Sequence, residues 1–221
     1  MKRTSTVALI SLVLLIIASC EGIEGSGTEI IKTPEAIDMG LSVKWASCNI
    51  GASRPEDFGD YYAWGETETK ATYDWSTYTL CSGSKRTMTK YCTSMFYGTT
   101  DNKTTLEKAD DVAAQELGGS WRMPTTIEWG ELIHRCDWKW TTINGVEGML
   151  VTSKKTDNSI FLPAANDVRG YVFDGVYGSY WSSSLSTLEA CDARCCHFDR
   201  TYASEDEYRR FEGLSVRPVS E

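Results

Sequence analysis

The chain is short of the residues most often used for catalysis and metal binding. Only two histidines, His134 and His197, occur in 221 residues. Neither supplies a clear base for serine or cysteine chemistry, and His134 falls inside an amphipathic segment. No C-x2-C pair occurs, so the usual zinc spacing is missing. There are no internal repeats or heptads, which excludes solenoids and long coiled coils. Cations are also scarce. Lys and Arg number 22 against 31 Asp and Glu, for a formal charge of −9. Such a chain has no surplus of cations to displace phosphate counterions, so nucleic acid is excluded as an expected partner. Between Asn166 and Glu212 there is no Lys, Gln or Met, although all three occur earlier.

The start of the chain is organised for export. Lys2 and Arg3 precede VALISLVLLIIA at 7–18, an apolar run too short for a comfortable membrane span and suited to a signal peptide. Ile17-Ala18-Ser19-Cys20 resembles a bacterial lipobox, which implies a signal peptide over 1–19 and lipidation of Cys20. The alternative is an ordinary signal cleaved near Ala18. Residues 20–35 read as the lipidated N-terminus and a flexible tether. Loss of Lys2 and Arg3 takes the charge from −9 to about −11. Export permits disulfides. Setting Cys20 aside leaves an odd number of cysteines, and the short spacing of Cys81 and Cys92 makes them a possible pair.

About two hundred remaining residues suit one domain, placed at 36–221. Eight Trp and eleven Tyr point to aromatic core plugs and recognition surfaces. LSVKWASCNIG (41–51) alternates as a strand does, and DYYAWGE (60–66) is a second candidate. Residues 67–103 read as a long ordered loop region. TTLEKADDVAAQEL (104–117), stopped by Gly118-Gly119, reads as a helix. In PTTIEWGELIHRC (124–136), Thr125 and Glu128 have capping-box spacing, and Trp129, Leu132, Ile133 and Cys136 share one helical face. Asn144-Gly145 marks a hairpin. SIFLPAA (159–165), GSYWSSSL (178–185), residues 190–200 and LSVRPVS (214–220) complete the strands. The class is α+β.

GGSWRMPTTIEW, SIFLPAA, GSYWSSS and GLSVRPV, in that order and behind LSVKWASCNIGAS and DYYAWGETE, resemble a group of Bacteroides-type exported lipoproteins, the "major paralogous domain" group. RMPTTIEW is also similar to the RLPTEAEWE signature of the formylglycine-generating enzyme superfamily. Both resemblances imply a C-type lectin-like fold: two helices on a small mixed sheet, with the terminal strands paired. Within it Arg122, Pro124, Glu128, Trp129 and Trp181 would be framework, with Arg122 held by a carboxylate or by carbonyls. The Glu-Pro-Asn, Gln-Pro-Asp and Trp-Asn-Asp motifs of calcium-dependent sugar binders do not occur. The group also implies a cell-envelope location, in the outer membrane and facing outward if Glu21 and Glu24 act as an acidic export signal. Some proteins of this fold are diversified by retroelements that rewrite adenines near the gene's end. AAC codons altered in that way become NNC, which cannot encode Lys, Gln, Met or Trp. The lack of these residues over 166–212, outside the framework Trp181, matches that rule. Glu189, Glu205, Glu207 and Glu212 do not.

The irregular stretch EACDARCCHFDR (189–200) admits three readings. A metal site would draw on Cys191, Cys195, Cys196 and His197, but adjacent cysteines in a strand point to opposite faces. A copper-dependent cysteine oxidase would use Cys191 and Cys196, whose C-x4-C spacing resembles the formylglycine-generating enzymes. Here ARCCHF lacks the surrounding Arg-Cys-Ala-Ala-Arg pattern. The third reading, a variable binding surface over 166–212, is the expectation taken forward. It has Tyr171, Phe173, Asp174, Tyr177 and Ser179 on one part. Cys191, Asp192, Arg194, Cys195, His197, Asp199, Arg200 and Tyr202 form another, with Asp206, Tyr208 and Arg209 at the rim. On this reading the cysteines are products of codon sampling. No cofactor, metal or enzymatic activity is expected. The expected partner is a macromolecular or cell-surface ligand, with membrane attachment through the N-terminal lipid alone. The competing reading is a structural surface lipoprotein in which 190–212 is a polar strand and hairpin.

Overall fold

The structure, a computed structural model, describes residues 33–168 and 176–221. The signal peptide, Cys20, most of the tether, and Tyr171, Phe173 and Asp174 lie outside the described residues. No described helix is long and apolar enough to cross a membrane.

Eleven strands and two α-helices are described, an α+β arrangement dominated by strands. Three short N-terminal strands, β1 (Ala36–Ile37), β2 (Lys44–Ala46) and β3 (Tyr61–Tyr62), precede α1 (Val112–Leu117) and α2 (Thr126–Arg135). Then follow β4 (Cys136–Ile143), β5 (Val146–Ser153) and β6 (Ser159–Pro163). The C-terminal part holds β7 (Gly178–Leu185), β8 (Asp192–Phe198), β9 (Ala203–Arg209), β10 (Leu214–Ser215) and β11 (Val219–Ser220). They form three sheets, ordered β1-β2-β11, β3-β10-β7-β8-β9 and β4-β5-β6. β10 runs parallel to β7, which makes the central sheet mixed. The chain's two described ends meet where Val219 pairs with Trp45 and Ser220 with Lys44.

The helix α2 begins as its sequence dictates. Thr125 Oγ1 accepts from Glu128 N–H, and the Glu128 carboxylate accepts from Thr125 N–H at 2.7 Å. That carboxylate also takes both arms of Arg122, at 2.6 and 2.9 Å. Burial alone would raise the Glu128 pKa, but the Arg122 and Thr125 hydrogen bonds outweigh it and hold the carboxyl below its ordinary value. The expected helix over 104–117 is shorter. Thr104–Leu106 instead runs beside β7, with Leu106 N–H donating to Ser183 O and Leu185 N–H to Thr104 O. A 3₁₀ turn at Lys108–Asp110 follows, and Asp111 caps α1 by accepting from Ala114 N–H. At the β4–β5 turn Asn144 and Gly145 adopt φ of 49° and 85°, which a type I′ hairpin requires.

The buried residues fall into two clusters, and the central sheet lies between them. Adjacent strand residues point to opposite faces, so neighbours join different clusters. Trp181 and Cys195 pack with Trp64, Tyr78 and Tyr91, while Tyr180, Cys196 and Phe198 pack with Trp45, Trp129 and Leu132. Each cluster also encloses an arginine with no exposed surface, Arg210 in the first and Arg217 in the second. Arg210 lies over the rings of Trp64 and Tyr78 and donates to Tyr78 Oη and to the carbonyls of Lys90, Tyr91 and Ala190. Arg217 donates to Asn49 Oδ1 and to the carbonyls of Ala46 and Phe161. All seven described cysteines carry free thiols. The considered Cys81–Cys92 bridge is absent: the Cys81 thiol donates to Trp75 O and the Cys92 thiol to Ser94 O.

Candidate functional site

The open end of the central sheet, where β7, β8 and β9 lie side by side, brings one group of expected residues together. Ser179 pairs with His197, and His197 with Ser204. Tyr208 pairs with Ala193, two same-face rows away, and its side chain reaches along the sheet to the imidazole. His197 Nδ1 lies 3.1 Å from Ser179 Oγ and 3.0 Å from Tyr208 Oη. Three tyrosine rings surround the imidazole, with centroids at 5.3 Å for Tyr177, 6.0 Å for Tyr202 and 6.2 Å for Tyr208. Asp206 is exposed on the same face of β9.

The turn beyond this cluster is tied down from within. The Asp199 carboxylate accepts from Thr201 Oγ1, Thr201 N–H and Tyr202 N–H, an Asx-type arrangement that fixes residues 199–202. The Thr201 hydroxyl is the main cause of a lowered Asp199 pKa. Arg200 is exposed, lies over the Trp140 ring and donates to Glu147 at 2.6 Å.

A second group is engaged in holding strands together. Arg194 on β8 forks to Glu205 and Glu207 on β9, each at 2.8 Å. Arg209 donates to both oxygens of Asp192 and to Glu189. These charges bridge neighbouring strands before they face any ligand.

The third group corrects the expectation. Cys191 is 0 % exposed, Cys195 2 % and Ser179 0 %. Cys191 and Cys195 point into the first cluster because strand alternation puts them on the face that carries Ala193. They cannot meet a partner, and their small apolar side chains fill core space. Ser179, Cys191 and Cys195 are therefore removed from the binding set. Burial pushes the Cys191 thiol up to about 12 and raises that of Cys196 as well.

The same geometry removes both cysteine-based alternatives. Cys191 belongs to one cluster and Cys196 to the other, with the sheet between them, so they cannot share a copper ion. Cys195 and Cys196 are likewise on opposite faces. Among the described residues, Glu189, Cys191 and Asp192 do converge within 4.8 Å. The Arg209 guanidinium sits against all three, 3.3 Å from the thiol sulfur.

The residue types at 189–200 gave no hint of a neighbouring groove. It lies between the β4–β5 hairpin and the 199–202 turn, encloses about 300 Å³ and is lined by Trp138, Trp140, Arg200 and Tyr202 among others. The repeat Trp-x-Trp on β4 was its legible signal, since residues two apart share a strand face. The buried roles of Arg210 and Arg217 had no such signal.

No family model, curated protein or solved structure matches the chain.

Proposed function

We propose that the chain is a lipid-anchored protein of the bacterial cell envelope whose C-type lectin-like domain presents a ligand-binding face at the open end of β7, β8 and β9. The signal sequence and lipobox support the anchor. The mixed central sheet, the two helices and the paired terminal strands support the lectin-like fold. The observation that carries the binding reading is His197 ringed by Tyr177, Tyr202 and Tyr208 on a sheet packed on both sides. Tyrosines held by a rigid frame give large amphipathic contact area at low entropic cost, as in antibody paratopes.

Diversification by a retroelement fits the composition of 166–212, with a narrower set of positions. Codons 200, 202 and 206 are exposed and 177, 197 and 208 half-buried at the end of the sheet, and these are the positions expected to vary. Codons 191, 193, 195, 196 and 198 build the core and are not. Sequencing this gene and its flanks in close isolates tests the idea. The expected result is a nearby near-copy differing at adenines, with substitutions confined to the first set. An invariant segment with no near-copy sinks diversification. Binding itself is tested by retention of envelope material on the immobilised mature chain, with a His197→Ala/Tyr202→Ala variant as control. Equal retention by both forms sinks this face.

A static reading also has support. The Arg194 and Arg209 ion pairs and the buried cysteines make much of 190–209 architectural. On that reading the variable area shrinks to the tyrosine–histidine end.

A further inference from the structure

We propose that the groove between the β4–β5 hairpin and the 199–202 turn is a calcium-independent subsite for one neutral pyranose ring. The inference rests on reading the domain as a binding module, and it names a ligand class for the edge of the proposed face. Tyr202 belongs to both, since it lines the groove and stands 6.0 Å from His197.

Trp138 and Trp140 lie two apart on β4, opposite Val151 and Met149, and so project from one face. The Trp138 N–H is turned inward and the Trp140 N–H toward a partly exposed carboxylate, while both rings pack in part against the second cluster. Trp138 Nε1 donates to Leu132 O at 3.1 Å, and Trp140 Nε1 points to Glu147 Oε1 at 3.4 Å. Contact with Phe198 also fixes the Trp138 ring. With the N–H groups engaged, what these residues offer a ligand is ring surface.

Ring surface attracts cations, other rings, or the C–H face of a sugar. Charge separates these cases. The Arg200 guanidinium already lies 5.5 Å from the Trp140 ring centre, so a cationic ligand meets a like charge. An anion meets Glu147 beside Arg200 and Asp137 at the wall, the latter paired with Lys154 at 3.2 Å, on a chain of net charge −9. A neutral ligand faces neither obstacle. Around the rings stand both donors and acceptors. Arg200 has five N–H donors, one of which goes to Glu147, and Asp137 and Thr201 supply acceptor oxygens. Hydroxyl groups, which donate and accept, match that mixed rim. A proline or aromatic side chain would use the rings and leave the rim in water. The volume of about 300 Å³ is at the small end for ligand sites and suits one ring with its partner sugar extending outward.

The test is intrinsic tryptophan fluorescence with calorimetry on the full chain in detergent, with a calcium chelator present. The probes are methyl β-glucopyranoside, methyl α-mannopyranoside, N-acetylglucosamine, cellobiose and maltose. Tetramethylammonium and a proline-rich decapeptide are titrated alongside. At least one pyranoside is expected to bind saturably, with Kd on the order of millimolar. Trp140→Ala should weaken it at least tenfold, and Trp140→Phe, which keeps a ring and guards against a folding defect, less than that. The proposal is overturned if no sugar binds, if binding ignores Trp140→Ala, or if the peptide or the ammonium ion binds more tightly than every sugar. Retention of envelope material by the same preparation separates the two readings. Retention without sugar binding removes the subsite and leaves the tyrosine–histidine face. Sugar binding without retention does the reverse.

Discussion

Arg210 and Arg217 lie in the two cores and give their hydrogens to carbonyl, hydroxyl and amide oxygens. Arg194 and Arg209 lie on β8 and β9 and give theirs to carboxylates. The first pair links segments far apart in the chain. Arg217 alone holds Ala46, Asn49 and Phe161. The second pair links strands that are already neighbours. The interior arginines thus define how loops and sheets are assembled, while the β8–β9 arginines reinforce a ladder that backbone hydrogen bonds already specify. On the proposed reading of a diversified surface, loss of the second kind is the loss it tolerates.

The largest expected effect breaks the interior half of that comparison. Arg217→Leu strands three buried acceptors, each costing about 1–3 kcal/mol, and should destabilise the fold by at least about 3 kcal/mol in urea unfolding. A loss no larger than that of Arg194→Ala would erase the distinction. Next comes thiol reactivity. With its thiol raised from an ordinary 9.0 to about 12, Cys191 has a thiolate fraction about a thousandfold smaller at neutral pH. Native Cys191 should resist a disulfide reagent until the protein unfolds, as followed by peptide mapping. Prompt labelling would return it to the surface.

Third, two adjacent substitutions sharpen the contrast within one strand. Cys196→Tyr overfills the core and should cost about 1–3 kcal/mol, whereas His197→Tyr should stay within about 0.5 kcal/mol. Similar costs for both would contradict the difference in burial between the two positions. Fourth, acid separates carboxylate-held arginines from carbonyl-held ones. The Glu128 pKa is lowered in the folded state, so its contribution with Arg122 is complete above the ordinary glutamate range. It is lost as pH falls through the lower folded value. The stability gap between the native chain and Glu128→Gln should close over that acidic window, as measured by thermal unfolding at stepped pH. A gap that widens on acidification reverses the sign. The smallest loss expected from removing an ion pair is that of Arg194→Ala, at about 0.2–1 kcal/mol, as for partly exposed pairs.

Local signals in the sequence were read well wherever the deciding partners lie nearby. Thr125 and Glu128 mark the start of α2, Asn144-Gly145 marks the hairpin, and GSYWSSSL coincides with β7. The expected helix at 104–117 failed in its first half because distant β7 takes Thr104 and Leu106 into backbone pairing. The site divided in the same way. Tyr177, His197, Tyr202 and Tyr208 do gather at the end of the sheet, Tyr202 exposed and the others half-buried. Ser179, Cys191 and Cys195 were not legible as core, because an irregular mixture hides a strand that is buried on both faces. Groove formation by Trp138 and Trp140 depends on the β8–β9 turn, some sixty residues onward, so the Trp-x-Trp spacing marks their shared face but not the groove's other wall.

The alternation along β8 limits how this gene can evolve. Letters at outward positions can be exchanged freely, but the count of letters cannot. One inserted or deleted codon between 192 and 198 would send every later side chain of the strand to the opposite face, so that residues shaped for one buried cluster would meet the other. Lineages of this protein should therefore differ by replacement along this strand, and length polymorphism should be found only in the loops on either side.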